Sequence, residues 1–305
     1  MTQAHAPVLV GTDIKPQRRS GRRRLGGVPL HVIVIGLMLL WALPAIALLV
    51  SSLRPASDVT RSGWWTALFP PATFIFQNYQ DVLGAQGLGS SFINSLIITV
   101  PATIIVITVA AFAAYAFSWM DFRGRQVLFV VVVGLLVVPL QVTLIPVLSL
   151  LRDFQLPGIG RVSGTFLAVW LAHTGYGLPF AVYLLRNYIG GLPKEVFESA
   201  SIDGAGPATA FFRLALPMSV PVIAALIIFQ FLWVWNDLLV ALVYLGPSPT
   251  NHPLSVTLAN LTTSQGGDWQ LLTAAAFISM ALPIVVFFSL QRYFVRGITG
   301  GAVKG

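Results

Sequence analysis

The sequence predicts an all-α membrane protein with six transmembrane helices. Only 9% of the 305 residues are charged, 56% are hydrophobic, and the mean hydropathy is +0.82. A soluble globular domain carries roughly a quarter charged residues, so this composition indicates a lipid bilayer as the solvent. The apolar segments are unbroken runs of Val, Ile and Leu, which favour helices over the short alternating strands of a β-barrel.

Six charge-poor segments are long enough to span a bilayer as a helix, which needs about 20 mostly apolar residues. They lie at about 30–52, 92–119, 126–150, 164–186, 216–244 and 270–291. A seventh charge-free interval, 238–267, becomes rich in Pro, Gly, Ser and Asn after its first residues, and we predict a loop there.

The first two segments of the chain are a basic arm, 1–28, and the first transmembrane helix, 29–53. The apolar run is longer than the core of a secretory signal and five more spans follow it, so we expect the mature protein to retain it. Arginines clustered directly before a span are typical of a cytoplasmic anchor beside the lipid surface, and we expect no nucleic-acid binding.

The positions of Lys and Arg predict the orientation, because these residues collect in cytoplasmic segments. With the N-terminus inside, 14 of the 18 lysines and arginines fall in inner segments and 4 in outer ones. Both termini are therefore predicted to be cytoplasmic, 54–87 to be an external loop, and 187–215 to be the longest inner loop between spans.

The inner loop contains an unusual concentration of acids. The segment KEVFESASIDGAG, Lys194–Gly206 and here called the acidic loop, holds Glu195, Glu198 and Asp203 in a chain of net charge +8. Pro193 is suited to a helix start and Gly204 to a helix end, so a short helix with one apolar side is predicted.

Two roles compete for this short helix. An amphipathic helix on the inner lipid surface is usually rich in Lys and Arg, because that surface is anionic. A helix of net charge −2 is instead suited to a groove on a partner protein that presents basic residues. The charge favours the protein partner, with the lipid surface as the alternative.

The acidic loop and its continuation, ESASIDGAGPATAFFRLALPMSVP, resemble the EAA loop of ABC-importer permeases. The stretches FPPATFIFQNYQDVL at 69–83, FINSL at 92–96, WND at 235–237 and the tail QRYFVRGITGGAVKG are similar to the sugar-importer branch that takes up maltose and related glycosides. The resemblance covers about 30–305. It implies the type I ABC-importer permease fold, with a permease core at 88–295 and a cytoplasmic tail at 296–305.

By this resemblance, the acidic loop is a coupling helix that sits in a cleft of an ATP-hydrolysing subunit. Glu198 would face basic residues, Gly204 would permit the turn, and Ala200 and Ala205 would keep the contact close; Ser199 stands where the family usually has Ala. The residues implied in this contact are Glu198, Ser199, Ala200, Asp203, Gly204, Ala205, Phe211 and Pro217.

The resemblance also implies the partners and the cargo. They are a second permease subunit, two ATPase subunits that bind ATP and Mg, and an extracytoplasmic solute-binding protein, all at a bacterial inner membrane. The cargo would be a sugar such as an α-glucoside or an oligosaccharide, and the alternative is another solute such as glycerol phosphate. The small, glycine-rich tail is a frayed end by composition, or by resemblance a sensor of ATPase closure.

Polar and aromatic residues within the spans are candidates for a translocation path, because such residues are costly in a bilayer. The candidates are Trp233, Trp235, Asn236 and Asp237 in the fifth span and His173 and Tyr176 in the fourth. The alternatives are an interfacial aromatic belt for the first group and packing between helices for the second.

The sequence contains no signature of catalysis. It has no cysteine, no phosphate-binding G-x-x-x-x-G-K-[ST], no H-E-x-x-H and no G-x-S-x-G, and its four histidines are scattered without metal-ligand spacing. We therefore expect a transport subunit without its own cofactor or metal. A membrane-embedded enzyme is the rival class, and it would need converging acids and histidines.

Overall fold

The computed structural model describes residues 28–84, 87–158, 160–264 and 268–302. The predicted basic arm, 1–28, lies outside these residues except for Val28, and so do the last three residues of the predicted tail. The chain divides into two units, 1–47 and 48–305, and the first helix begins in the former and ends in the latter.

Besides three short 3₁₀ helices and a π-helical turn at Phe211–Ala215, the described part of the chain has fourteen α-helices and one two-stranded hairpin. They are α1 Val28–Ser52, α2 Ala56–Arg61, α3 Gln77–Leu83, α4 Leu88–Trp119, α5 Arg125–Gly134, α6 Leu140–Asp153, β1 Gln155–Leu156, β2 Gly160–Arg161, α7 Phe166–Ile189, α8 Lys194–Ile202, α9 Pro207–Ala210, α10 Leu216–Met218, α11 Val220–Trp235, α12 Leu239–Leu245, α13 Leu254–Ser264 and α14 Trp269–Ala302.

Four of the helices are long and apolar enough to cross a bilayer alone. They are Pro29–Ser52, Leu88–Trp119, Phe166–Ile189 and Trp269–Tyr293. Two further segments are bent pairs, Arg125–Val137 with Leu140–Asp153 and Pro207–Met218 with Val220–Trp235. Six spans result if each pair crosses once, and the six predicted segments fall on these elements.

The third predicted span, 126–150, is broken by a bend of 110°. Its first half ends in a 3₁₀ turn, and Val138 and Pro139 then adopt extended backbone before α6 begins. A proline disfavours helical backbone in the residue before it, so Val138-Pro139 is the physical cause of the break.

The fifth predicted span, 216–244, is broken at two points. The chain bends by 72° at Ser219, before Pro221 in the first turn of α11. The helix then ends at Trp235, and α12 starts at Leu239. Asp237 stabilises this second break, because its Oδ2 accepts hydrogen bonds from the backbone N–H groups of Val240 (2.9 Å) and Ala241 (3.2 Å).

The loop predicted for 238–267 after its first residues is wrong in part, because α13, Leu254–Ser264, lies within it. Its Ser, Thr and Asn residues favour turns, but Leu254, Leu258 and Leu261 pack against α11 and α14. The N–H of Leu254 also donates to Ser95 Oγ at 2.7 Å. Tertiary packing therefore outweighs the weak helix propensity of this segment.

Two other predicted boundaries also change. The external loop, 54–87, contains α2, a 3₁₀ turn at Trp64–Leu68 and α3, and is therefore largely folded. The last predicted span ends at 291, whereas the backbone of α14 stays helical to Ala302, through most of the predicted tail.

The centre of the second unit is the packing of α4 against α7. Small side chains line this contact and allow the two backbones to approach closely. The buried alanines of these two helices are Ala102, Ala110, Ala111 and Ala114 on α4 and Ala168, Ala172 and Ala181 on α7. Two indole N–H groups join the helices near their ends, Trp170 to the carbonyl of Ile97 (2.8 Å) and Trp119 to that of Ile189 (3.0 Å).

Candidate functional site

The acidic loop forms a helix, α8, as the sequence predicts, and an aromatic stack attaches it to the long apolar helices. Phe197 is the one residue of α8 that is fully buried, and its ring lies on that of Trp119 at the end of α4, with centroids 3.9 Å apart and planes 18° apart. Because Trp119 also bonds to Ile189 at the end of α7, α8 is attached to both α4 and α7.

The end of α8 depends on one glycine. Gly204 has φ +83°, a left-handed conformation that is strained for residues with a Cβ. The turn brings the N–H of Ala205 to the carbonyl of Ala200 at 2.9 Å, and that of Gly204 to Ser201 at 3.0 Å. This arrangement satisfies carbonyls that a helix end would otherwise leave without donors. The predicted helix stop at Gly204 is confirmed.

The polar side of α8 is exposed and acidic. Glu195, Glu198 and Asp203 are all exposed, and none of them has an ion-pair partner among the residues that the structure describes. Ile202 beside them is 86% exposed. The surface therefore combines unpaired negative charge with an accessible apolar residue.

The other residues of the predicted coupling set divide into an exposed and a buried group. Ser199 is exposed, Ala200 and Ala205 are half-buried, and Pro217 is exposed on α10. Phe211 is different, because it is only 4% exposed and stacks on Phe112 of α4 at 4.7 Å. Phe211 thus fixes the second half of the inner loop, 187–215, to α4. The contacts of the predicted coupling residues with a partner protein stay a prediction.

A cavity of about 330 Å³ lies between α7 and α11 and contains two of the predicted path residues, Tyr176 and Trp233. The remaining lining residues are Gly177, Phe180, Leu226, Phe229 and Gln230. A second cavity of about 320 Å³, between α7 and the broken third span, is also lined by Tyr176 and Trp233. These two aromatic residues therefore line both cavities.

His173 and Asp237 lie behind Trp233. His173 is 1% exposed, its ring meets that of Trp233 edge-on at 5.4 Å, and its Nε2 lies 3.8 Å from Asp237 Oδ2. The hydroxyl of Tyr176 forms a 2.7 Å hydrogen bond with that of Tyr244, which donates to the carbonyl of Leu144. Neither His173 nor Asp237 lines either cavity: His173 contacts Trp233, and Asp237 lies next to His173.

The two remaining path candidates do not join this group. Trp235 is 3% exposed, stacks on Phe231 and donates its indole N–H to the carbonyl of Ser279 on α14 at 3.0 Å. Asn236 is exposed and donates to the carbonyl of Leu232 in its own helix at 2.8 Å. Both side chains are used in holding the end of α11.

Gln230 is a cavity residue that is absent from the candidates predicted from the sequence. Gln230 is 4% exposed, and its Nε2 has no hydrogen-bond partner among the described residues. It is the one amide side chain between Val220 and Trp235, in a segment that is otherwise apolar. That isolation is a signal available in the sequence, because polar residues within a span are costly.

The fold and this site together define a class of protein. Several helices are long and apolar enough to cross a membrane, and a short acidic helix, fixed to two of them, presents charge that has no ion-pair partner among the described residues. Residues 106–300 match the family described as binding-protein-dependent transport system inner membrane component. The chain belongs to this family, and the ABC-importer permease family predicted from the sequence is confirmed. It is a multi-pass membrane permease and a transport component rather than an enzyme.

Two relatives are similar over most of the chain. The osmoprotective compounds uptake permease protein GgtD of Synechocystis sp. is 55% identical over 280 residues, which are 91% of this chain and 92% of that protein. The alpha-glucoside transport system permease protein AglG of Rhizobium meliloti is 52% identical over 261 residues, which are 84% of this chain and 67% of that protein.

A solved structure has the same fold. A chain in the crystal structure of a bacterial alginate ABC transporter, in complex with an alginate pentasaccharide-bound periplasmic protein, superposes with a TM-score of 0.63 at 15% identity. The match covers 90% of this chain and 96% of that chain. The predicted ABC-importer permease fold is therefore confirmed.

Proposed function

We propose that this chain is the permease subunit of an ABC importer for a sugar, an α-glucoside or short oligosaccharide. A solute-binding protein delivers the sugar, and ATP hydrolysis on partner subunits drives its passage. The names of GgtD and AglG, which refer to osmoprotective compounds and to alpha-glucosides, support this class of cargo. Several more distant relatives carry names of oligosaccharide transport systems.

The observation that carries the proposal is the unpaired acidic surface of α8 on a firmly attached helix. A partner with basic residues would neutralise Glu195, Glu198 and Asp203, and the exposed Ile202 would supply apolar contact at the same place. The Phe197–Trp119 stack then carries a displacement of α8 to α4 and α7. The spans would tilt as the partner closes, which gives alternating access.

Charge reversal at Glu198 tests this coupling. We expect Glu198→Lys to lower uptake of a labelled α-glucoside, such as sucrose or trehalose, at least about tenfold, since like charges across an interface cost several kcal/mol. The variant should still insert, because Glu198 is exposed and has no ion pair in the described structure. Uptake in cells, membrane content by immunoblotting and ATPase activity of the purified complex are the measurements.

Asp121→Lys is the matched control. Its side chain is also exposed, but it already pairs with Arg125 at 3.0 Å, and exposed pairs of this kind contribute little. We expect this control to keep most of the uptake. Full uptake by Glu198→Lys at normal membrane content would contradict the proposed coupling.

A further inference from the structure

We infer that residues 63–76 of the predicted external loop, here called the aromatic segment, are an anchor that lies at the membrane–water interface, with phospholipid as its partner. The inference goes beyond the proposed function, because it concerns neither the cargo nor the ATPase subunits. It concerns five large apolar side chains that the rest of the described chain leaves uncovered. They are Trp65, Leu68, Phe69, Phe74 and Phe76, with exposed fractions between 52% and 70%.

The first observation is that these side chains lie outside every candidate span. The first candidate span ends at Ser52, and the second begins at Leu88. Exposed apolar side chains within a span are covered by lipid tails, but those of a loop in water would have no such cover. A concentration of large exposed apolar side chains therefore marks contact with another molecule or with a membrane.

The second observation is the composition of the aromatic segment. It contains no charged residue, whereas Asp58 and Arg61 precede it and Asp81 follows it. It contains two tryptophans and three phenylalanines, and tryptophan is enriched at the level of the lipid headgroups. A surface that binds a soluble protein has a polar rim, because it meets water whenever the partner is away. The composition therefore favours lipid over a soluble protein.

The third observation is that hydrogen bonds hold the end of the aromatic segment beside the end of α1. Asn78 donates from Nδ2 to the carbonyl of Ser52 at 2.8 Å and to that of Arg54 at 2.9 Å. The backbone N–H of Ile75 donates to the carbonyl of Leu53 at 2.7 Å. The chain therefore returns to the end of α1 before α3 begins.

Arg54 holds the beginning of the aromatic segment at the same place. Its Nη2 donates to the carbonyl of Asp58 at 3.0 Å, and its Nη1 donates to that of Ser62 at 3.2 Å. The candidate span Pro29–Ser52 has 24 residues, and a bilayer core needs about 20, so Ser52 lies at the boundary between lipid tails and headgroups. The aromatic segment, held beside Ser52, lies at this boundary too.

The backbone of the aromatic segment restricts it to the interface. After the 3₁₀ turn Trp64–Leu68, residues 69–76 form neither helix nor strand. An irregular backbone exposed to lipid is not tolerated in the hydrocarbon core, because its amide groups would lack hydrogen-bond partners there. At the interface, water can supply these partners while the aromatic rings lie among the headgroups.

Brominated lipids test the anchor, because bromine quenches the fluorescence only of indoles that it meets within the bilayer. The complete transporter would be reconstituted in phosphatidylcholine that is brominated either near the headgroup or near the chain ends. The difference in emission between wild type and Trp65→Phe gives the signal of Trp65. We expect bromine near the headgroup to quench this signal severalfold more than bromine near the chain ends.

Trp41 is the matched control. It is 83% exposed and lies at the middle of the first candidate span. The signal of Trp41, obtained in the same way from Trp41→Phe, should be quenched more by bromine near the chain ends. If Trp65→Phe fails to insert, Phe69→Trp provides a second reporter in the wild-type chain. Its added emission should be quenched more by bromine near the headgroup.

Each outcome has a definite meaning. Quenching of Trp65 mainly by bromine near the headgroup, unchanged when the solute-binding protein is added, supports the anchor. If neither lipid quenches it, the ring lies in water or against protein and the anchor is wrong. If the solute-binding protein abolishes the quenching, the aromatic segment is a docking surface for that protein and the lipid assignment is wrong. Uptake of α-glucosides is measured separately, so failure of the anchor leaves the proposed function standing.

Discussion

Gly204 and Gly206 are two residues apart in the same loop, and a Cβ built on either of them would meet no heavy atom within 4 Å. Only their backbones differ, because φ is +83° at Gly204 and −73° at Gly206. Any difference between alanine substitutions at the two sites therefore reports backbone strain rather than crowding within this chain.

We predict that Gly204→Ala lowers uptake severalfold, while Gly206→Ala has little effect. A left-handed alanine costs about 1–2 kcal/mol, which is enough to shift the end of α8. Gly204→Asn should retain more uptake than Gly204→Ala, because Asn tolerates this conformation better. Uptake normalised to membrane content is the measurement, and equal losses at both glycines would contradict the role of strain.

At the scale of single residues, the sequence predicted positions defined by local chemistry. Gly204 was recognisable as a helix stop because only the adjacent segment decides it. Trp233 and Trp235 show the limit of this approach: they are two residues apart in one motif, yet Trp233 lines a cavity and Trp235 is buried against α14. Which side of a helix faces the cavity depends on neighbouring helices, and the sequence alone does not provide that information.

At the scale of elements, α8 is important because of how it is attached. Phe197 stacks on Trp119, and Phe211 stacks on Phe112. Both halves of the inner loop, 187–215, are therefore fixed to α4 by aromatic stacks. Aromatic pairs of this kind add about 0.5–1.5 kcal/mol beyond the burial of their area. The loop is thus joined to the spans by specific contacts as well as by the chain itself.

We predict that Phe197→Ala uncouples ATP hydrolysis from uptake. Without its ring, α8 would still present its acids to a partner, but displacement of α8 would no longer be passed directly to Trp119. We expect uptake to fall several times more than ATPase activity in the purified complex. Phe197→Tyr, which keeps the stack, should behave like wild type.

Val196→Ala is the matched control, because Val196 is the preceding residue on α8 and is exposed. It removes apolar volume from the same helix without touching the stack. If Phe197→Ala and Val196→Ala transport equally well at equal membrane content, the stack does not carry the coupling.

The predicted spans were accurate where a helix is continuous. The segments 92–119 and 164–186 match α4 and α7 within about one turn, because long apolar runs with helical packing leave no alternative in a bilayer. The breaks at Val138-Pro139 and around Asp237 were not predicted. Hydropathy averages over about 20 residues and cannot detect a change of direction within an apolar run.

At the scale of the whole molecule, the two bent pairs determine how many times the chain crosses the membrane. If both pairs span, the chain crosses six times, and the segments near Ser57, Gln155 and Ser248 face outward, while those near Arg123 and Ser201 face the cytoplasm. If the bent pair at the third or at the fifth span instead returns to the side from which it entered, the segments that follow it change sides. Each alternative therefore gives a different pattern of sidedness at these five positions.

The absence of cysteine from the sequence allows a clean measurement of this pattern. We predict that single cysteines at Ser57, Gln155 and Ser248 react with a membrane-impermeant maleimide in intact cells. Those at Arg123 and Ser201 should react only after permeabilisation; all five positions are exposed, so accessibility within the chain does not limit the reaction. Labelling of Ser201→Cys in intact cells would place the acidic loop outside, where no ATP-hydrolysing partner could reach it, and the proposed coupling would then be wrong.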